Sequence, residues 1–591
     1  MSKRFVISVL IACLAASGLA FGQLTPTGRI NGRVVDHQGL PLPGVNVEAT
    51  SPRLIGKAAA VTDADGVYRL MALPSGTYEI TYSIQGFKTL IRKGIRLELS
   101  QIIAVDVTLE VATIEEQVTV IGQSPLIDVK STVKGQVMTK ETYLSLPRGR
   151  NFDSLISTIP GVHTDVNTAG LSVDGATGPE NMFYADGADI SDFHYGGSPQ
   201  SIVLELLDEV KVTASGYNAE FGGSMGGVVN VITRSGSNEL HGDIMGYYEN
   251  NRTYMEGKAR DFLRRDYDQP GYVYEYVNYD DLYFDGGSNR DRYNRYEAII
   301  SLGGPIIKDK LWFFGSFNPR LSQTSALRDF NDREGPFSTF KTKTKGFGGS
   351  IRLTAAPLPG LRVSAGYINS FTNYRGAIPT ILGNDAADYE YAKEGYDYPN
   401  KSASLTADYS VGNNMLISYR GGWHEENTTN EQITPPDASY YYFSTSNLAY
   451  AADPFFVANP QLVQNAGWES APINMTTLYY KRGKLSNNLD LSYYLNWGGE
   501  HAFKAGVGYN YLYDDRFTGA PHPCVYLYWG RSFDGLGFEV GVDADPTSEF
   551  YGAYGYYYIR GSFTSDYGSV WDTSSNNLSV YLQDSWTIGR K

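Results

Sequence analysis

Four patterns in this chain hold residues of types that do chemistry. Gly222-Gly223-Ser224-Met225-Gly226 matches G-x-S-x-G, the turn that presents a serine nucleophile. Asp186, Asp189, Asp192 and His194 gather three carboxylates and an imidazole in one short stretch, a set that suits several divalent ions. Asp63-Ala64-Asp65-Gly66 starts like a calcium loop. Glu116, Val118, Val120 and Ile121 lie in a short β-prone segment, the kind that adds as a strand to a partner's sheet edge.

The elements needed to position these groups decide among them. A serine nucleophile of this type requires a strand-to-helix elbow, whereas Val228 to Thr233 reads as a buried strand, so close glycine packing is the expectation for 222–226. The calcium pattern lacks its later ligands and its closing Glu, which leaves a β-turn. The acidic stretch around Asp189 is expected as a loop facing solvent rather than a metal site. No H-x-x-E pair occurs, so zinc peptidase chemistry has no ligands. No motif calls for a cofactor.

The chain has 591 residues, with 49 Lys and Arg against 64 Asp and Glu, a net charge of −15. Without a basic block, nucleic acid is a poor partner. It is rich in Gly (64) and Tyr (46), and residues 5–21 form its one long apolar run, which excludes a helical membrane protein and favours a β-rich one. Lys3 and Arg4, the apolar run, and Ala20-Phe21-Gly22 read as a signal peptide over 1–22. Leu10-Ile11-Ala12-Cys13 is the alternative, a lipoprotein box. After cleavage at 22, Cys524 stands alone, so no intrachain disulfide is available.

Residues 28–110 give short alternating strands with turns about every ten residues, the pattern of a small β-sandwich. Their G-x-V-x-D, P-x-P-G-V-x-V, T-D-x-x-G-x-Y and G-x-Y elements resemble carboxypeptidase regulatory-like domains. Residues 111–122 form a linker whose segment at Glu116 to Ile121 is either the sandwich's last strand or a partner-contacting strand. Residues 123–238 read as a small mixed α+β unit. A short helix is expected to start at Asn151 or Asp153 and to end by Pro160-Gly161, and a longer one at Ile202, Val203, Leu206, Leu207 and Val210.

Residues 239–591 alternate with period two over lengths that cross a bilayer as tilted strands. Ala403, Leu405, Ala407 and Tyr409 share one face, and Ser402, Ser404, Thr406 and Asp408 the other. Leu485, Leu489, Leu491, Tyr493, Leu495 and Trp497 oppose Ser486, Asn488, Asp490, Ser492 and Asn496. Phe503 to Tyr513 continues the alternation with Lys504, Gly506, Gly508 and Asn510 inward. About ten strands begin near 241, 293, 311, 346, 361, 400, 414, 485, 501 and 576. Short links at 304–310, 357–360, 411–413 and 498–500 alternate with long Tyr-, Asp- and Asn-rich ones. This is the pattern of an outer-membrane barrel with short periplasmic turns and long outer loops. Asp584 falls on the wrong face of the last strand, which predicts a register change or bulge there.

Leu146-Pro147, Arg150-Asn151-Phe152, Pro160-Gly161-Val162, Tyr184-Ala185-Asp186-Gly187, Glu209-Val210-Lys211-Val212, Tyr217-Asn218-Ala219-Glu220-Phe221-Gly222 and Gly226-Gly227-Val228-Val229-Asn230-Val231-Ile232-Thr233 resemble the plug of TonB-dependent outer-membrane receptors. With the preceding sandwich, the chain resembles the Oar-like branch. The resemblance implies a mainly β protein: an N-terminal sandwich, an α+β plug, and the first part of a transmembrane antiparallel barrel. It also implies a non-enzymatic function, import of a scarce, bulky chelate, oligosaccharide or peptide across the outer membrane of a Gram-negative-type bacterium. The implied partners are TonB with its inner-membrane energising complex, outer-membrane lipids, an unidentified ligand and a surface lipoprotein. Glu116, Val118, Val120 and Ile121 would contact TonB; Arg150, Asn151, Asp186, Gly187, Glu220, Gly226, Gly227 and Asn230 would be the plug motif. Tyr440 to Phe443 and Tyr551 to Tyr558 would offer rings to a ligand, including sugars. Ten strands are too few to surround such a plug, so a fragment of a longer barrel is expected rather than a split barrel. The rival from another class is an outer-membrane adhesion or assembly protein that binds macromolecules without transport.

Overall fold

The structure is a computed structural model. It describes residues 27–112, 117–121, 134–146, 152–165, 170–193, 196–198, 200, 202–216, 224–250, 261–265, 274–278, 291–328, 338–378, 391–431, 439–442, 457, 477–518, 524–528, 532–533, 539–541, 556–560 and 569–588. The signal peptide, Glu116, Arg150, Asn151, His194 and Glu220 lie outside these residues.

The N-terminal strands are β1 (Gly28–Asp36), β2 (Asn46–Thr50), β3 (Ala58–Val61), β4 (Val67–Leu73), β5 (Gly76–Ser83), β6 (Thr89–Leu97), β7 (Ile102–Ala104), β8 (Val107–Leu109) and β9 (Gln117–Ile121). Period-two burial along β1 and β5 gives each an apolar face. Those faces meet between two sheets, one ordered β4-β1-β7 with β8 also on β1, the other β3-β2-β5-β6-β9. Ile30, Val34, Val47, Leu70, Ile80 and Leu97 fill the core. Two buried tyrosines settle their hydroxyls on each other, Tyr68 to Tyr82 at 2.8 Å. Asp63 accepts from the N–H groups of Asp65 (3.0 Å) and Val67 (2.8 Å), so the calcium-like sequence is a side-chain-capped turn.

The next unit contains β10 (Lys134–Thr139), α1 (Lys140–Leu144), α2 (Phe152–Ile156), β11 (Val162–Thr164), β12 (Leu171–Val173), β13 (Met182–Ala185), β14 (Ala188–Asp189), β15 (Leu207–Ser215) and β16 (Val228–Thr233). Its main sheet is ordered β10-β15-β16-β13-β14. The helix expected through Ile202 to Val210 is absent: a single 3-10 turn at Leu204–Leu206 leads directly into β15. β15 is flanked by β10 and β16 and buried on both faces, so its apolar residues do not alternate and imitate helical spacing. Of the expected helices, the one after Asn151 forms as α2 but ends at Ile156, with Gly161 in the left-handed region (φ +86°) redirecting the chain beyond it.

The remainder builds one antiparallel sheet of ten strands: His241–Asn250, Arg292–Ile307, Leu311–Arg328, Ser338–Leu358, Leu361–Arg375, Gly395–Val411, Met415–Glu431, Thr477–Asn496, Glu500–Thr518 and Ser569–Thr587. Each expected strand is present, and the short and long links alternate as expected. The amphipathicity is inverted relative to a soluble sheet. Ser486, Asn488 and Asp490 are 1% exposed, while Leu485, Leu491 and Tyr493 on the other face are 40, 44 and 43% exposed. Polar side chains face the plug and apolar ones face outward, as lipid requires. Among the described residues the sheet is open, with His241–Asn250 and Ser569–Thr587 at its two edges. Asp584 needs no bulge. The last two strands stay in unbroken register, and Asp584 pairs with His501 Nδ1 at 2.7 Å, beside the short-turn rim where His501 stacks on Trp586.

Candidate plug–wall interface

Asp186 and Gly187 form the two-residue turn joining β13 to β14. Both have positive φ (+49° and +85°), the type I′ geometry that Asp-Gly serves because it matches strand twist. The hairpin tip points at the wall: a Cβ built on Gly187 would sit 3.1 Å from Thr406 Cγ2 and 3.4 Å from Arg420 Cδ. β16 runs parallel to β13 and supports it from behind. The glycines before β16 permit close approach, since a Cβ on Gly226 would meet Asn181 Oδ1 at 2.5 Å and one on Gly227 would meet Val173. Asn181 ties this corner by accepting from Gly227 N–H at 2.6 Å. Asn230 is buried in β16 opposite Tyr184 and Lys211. The Ser224 hydroxyl lies 3.2 Å from the Gly226 carbonyl and 3.3 Å from that of Glu180, and a strand follows it rather than the elbow helix of a hydrolase.

The hairpin carries its carboxylates into the wall. Asp186 accepts from Arg352 Nη1 (2.8 Å) and from Thr233 N–H (2.9 Å). Asp189, 2% exposed, pairs with Lys484. Asp192 pairs with Arg482 at 2.5 Å, and Arg482 also holds Glu426 at 2.7 Å. The expectation that these acids face solvent is therefore corrected. Each is committed to a different wall cation, because the lumen withdraws the loop from water and a buried carboxylate needs a counter-charge. The sequence signal for the cations was available: Arg482 and Lys484 fall on the same parity as Ser486, Asn488 and Asp490, on the inward face of their strand. Further ties join plug and wall at Gln200 Nε2 to Ser370 Oγ (3.0 Å) and Tyr247 hydroxyl to Glu205 (2.9 Å). Arg234 at the exit of β16 pairs with Asp243 on the first wall strand at 2.5 Å.

The sandwich packs against the short-turn end of this assembly. Arg69 pairs with Glu500 (3.3 Å), and Arg29 lies over the Tyr494 ring, 4.3 Å from its centroid. Met71 and Ala72 bury against Leu416 and Tyr494. On the plug side Arg53 pairs with Asp208, and Glu209 accepts from Leu99 N–H at 3.1 Å. Burial pushes the Glu209 pKa up to about 7, opposed mainly by the Arg53 charge. The same desolvation lowers Arg53 below the usual guanidinium value.

The remaining sequence-singled segment is separate from this interface. Val118, Val120 and Ile121 lie in β9, which pairs parallel to β6 at the edge of the sandwich sheet and leaves its other edge unpaired among the described residues. In the long loops, Ser439–Tyr442, Cys524–Tyr528 and Tyr556–Arg560 assemble a separate three-stranded sheet.

The chain is similar to several known proteins. Residues 29–110 match the carboxypeptidase regulatory-like domain. The chain is 29% identical to the TonB-dependent transporter Oar of Myxococcus xanthus over 98% of its own length and 58% of that protein's. It is 24% identical to the ferrienterobactin receptor of Escherichia coli over 49% of this chain and 36% of that one. The outer membrane transporter YddB of Escherichia coli, a solved structure, is 14% identical, covers 76% of this chain and 54% of its own, and superposes with a TM-score of 0.47. The chain thus spans a little over half the length of the first of these relatives.

Proposed function

We propose that this homologue of the TonB-dependent transporter Oar supplies the sandwich, plug and part of the wall of an energised outer-membrane transporter. The observation that carries the reading is the pairing of Asp186, Asp189 and Asp192 with Arg352, Lys484 and Arg482 across the plug–wall boundary. A unit held in a polar lumen by discrete ion pairs can be released by force, whereas an apolar core would seal it permanently. The outer membrane offers no ATP, so the force comes from the partner TonB, engaged by strand addition at Glu116 to Ile121. β9 already lies at a sheet edge, so a partner strand can join without dismantling the sandwich core. The tyrosine-rich loop strands above the wall are where ligand contact is proposed.

The test is binding of the purified periplasmic domain of TonB to the full-length protein in detergent. Val118→Pro with Val120→Pro removes two ladder N–H groups and should weaken binding at least about tenfold. The sandwich's melting should barely change, since β9 is an edge strand. A wild-type protein that ignores the TonB domain would contradict the transport reading and leave the adhesion reading standing.

A further inference from the structure

A cavity of about 30 Å³ lies where sandwich, plug and wall meet, lined by Arg53 and Ser75 of the sandwich, Asp208 and Thr233 of the plug, and Arg352, Arg362 and Asp408 of the wall. That volume exceeds what one water needs and fits a small ion. The cations around it are not equally provided with partners. Arg53 is paired with Asp208, Arg352 with Asp186, and Asp408 with Arg420 at 2.6 Å, leaving Arg362 without a carboxylate of its own. Asp408 stands opposite Arg362 in the strand register, but one of its oxygens already takes Arg420 and the Ser418 hydroxyl (2.7 Å). Among the described residues, Arg362 Nη1 is buried and has no hydrogen-bond partner. An unpaired, desolvated guanidinium donor is costly, and an arginine fork is the group best shaped to hold an anion.

We propose that this junction is a binding site for one small monovalent anion, chloride or a single carboxylate group, held by Arg362. The anion gives Arg362 Nη1 an acceptor and places a shared counter-charge among guanidiniums from the sandwich and the wall. Its occupancy therefore favours the docked position of the sandwich.

The test uses the full-length protein in detergent. Crystals soaked in bromide should show an anomalous peak within about 3.5 Å of Arg362 Nη1, near the upper range of a charge-assisted contact to a large halide. A wild-type crystal whose cavity stays empty in both bromide and formate soaks overturns the proposal and needs no variant to do so. In solution, chloride and formate are each titrated against methanesulfonate, which is too bulky for the cavity, at constant ionic strength. Saturable stabilisation of about 1–3 °C is expected for at least one of them, which tells halide from carboxylate. Arg362→Gln should abolish that shift. An equal shift in wild type and variant, or none in wild type, overturns the assignment.

Discussion

A carboxylate buried against a lysine is stabilising only while both are present. Asp189→Asn would leave Lys484 charged, buried and unpaired, a change of about 3–5 kcal/mol for buried pairs of this kind. The plug should then become protease-sensitive at lower denaturant, and adding Lys484→Met should recover part of the loss; purely additive effects would show that the two do not interact. Glu209 makes a second residue-scale prediction. Its folded pKa, raised to about 7, exceeds the ordinary glutamate value, so the folded state keeps a proton that the unfolded chain releases. Docking of sandwich on plug should be strongest below about pH 4.5, weaken as pH rises to about 7, and level off above it. Glu209→Gln, neutral throughout, should flatten this dependence as read by limited proteolysis of the sandwich–plug junction at pH 5 and pH 8. The charged groups facing it, Arg53 and Glu98, are the ones whose removal would move the midpoint. At this scale the sequence was least informative. It located Asp186, Asp189 and Asp192 but not their partners, because cations 166, 295 and 290 positions away are brought opposite only by wall curvature and plug placement.

Elements were legible where periodicity had one cause. Wall strands alternate because one face meets lipid and the other the lumen, so all ten could be placed from side-chain parity and link lengths. β15 was misread because both its faces are buried, and with alternation gone Ile202 to Val210 fits a helix as well as a strand. The docking of β4 on the wall turns left no sequence signal, since Met71 and Ala72 read as ordinary sandwich residues. The Asp186-Gly187 turn was visible as a motif, and its geometry supplies the reason: φ of +85° at Gly187 with Thr406 close by. Gly187→Ala should cost about 1–2 kcal/mol from the left-handed backbone alone, and should weaken the Asp186–Arg352 contact as the tip retreats. Equilibrium denaturation measures the first effect. An Arg352→Gln background separates the second, in which the glycine substitution should cost less.

At the scale of the molecule, the open sheet turns an exposed apolar face outward and a face of paired charges toward the plug, the arrangement expected of a sheet that meets lipid on one side and a folded body on the other. The sandwich closes the short-turn end, so the plug is held laterally by ion pairs and from below by a docked domain. If residues 123–238 stop a pore, as proposed above, ion conductance of the full-length protein in planar bilayers must show it. The wild type should be closed, and deletion of 123–238 should give large, steady conductance at the same level of insertion. A deletion variant that inserts yet stays closed would contradict the claim.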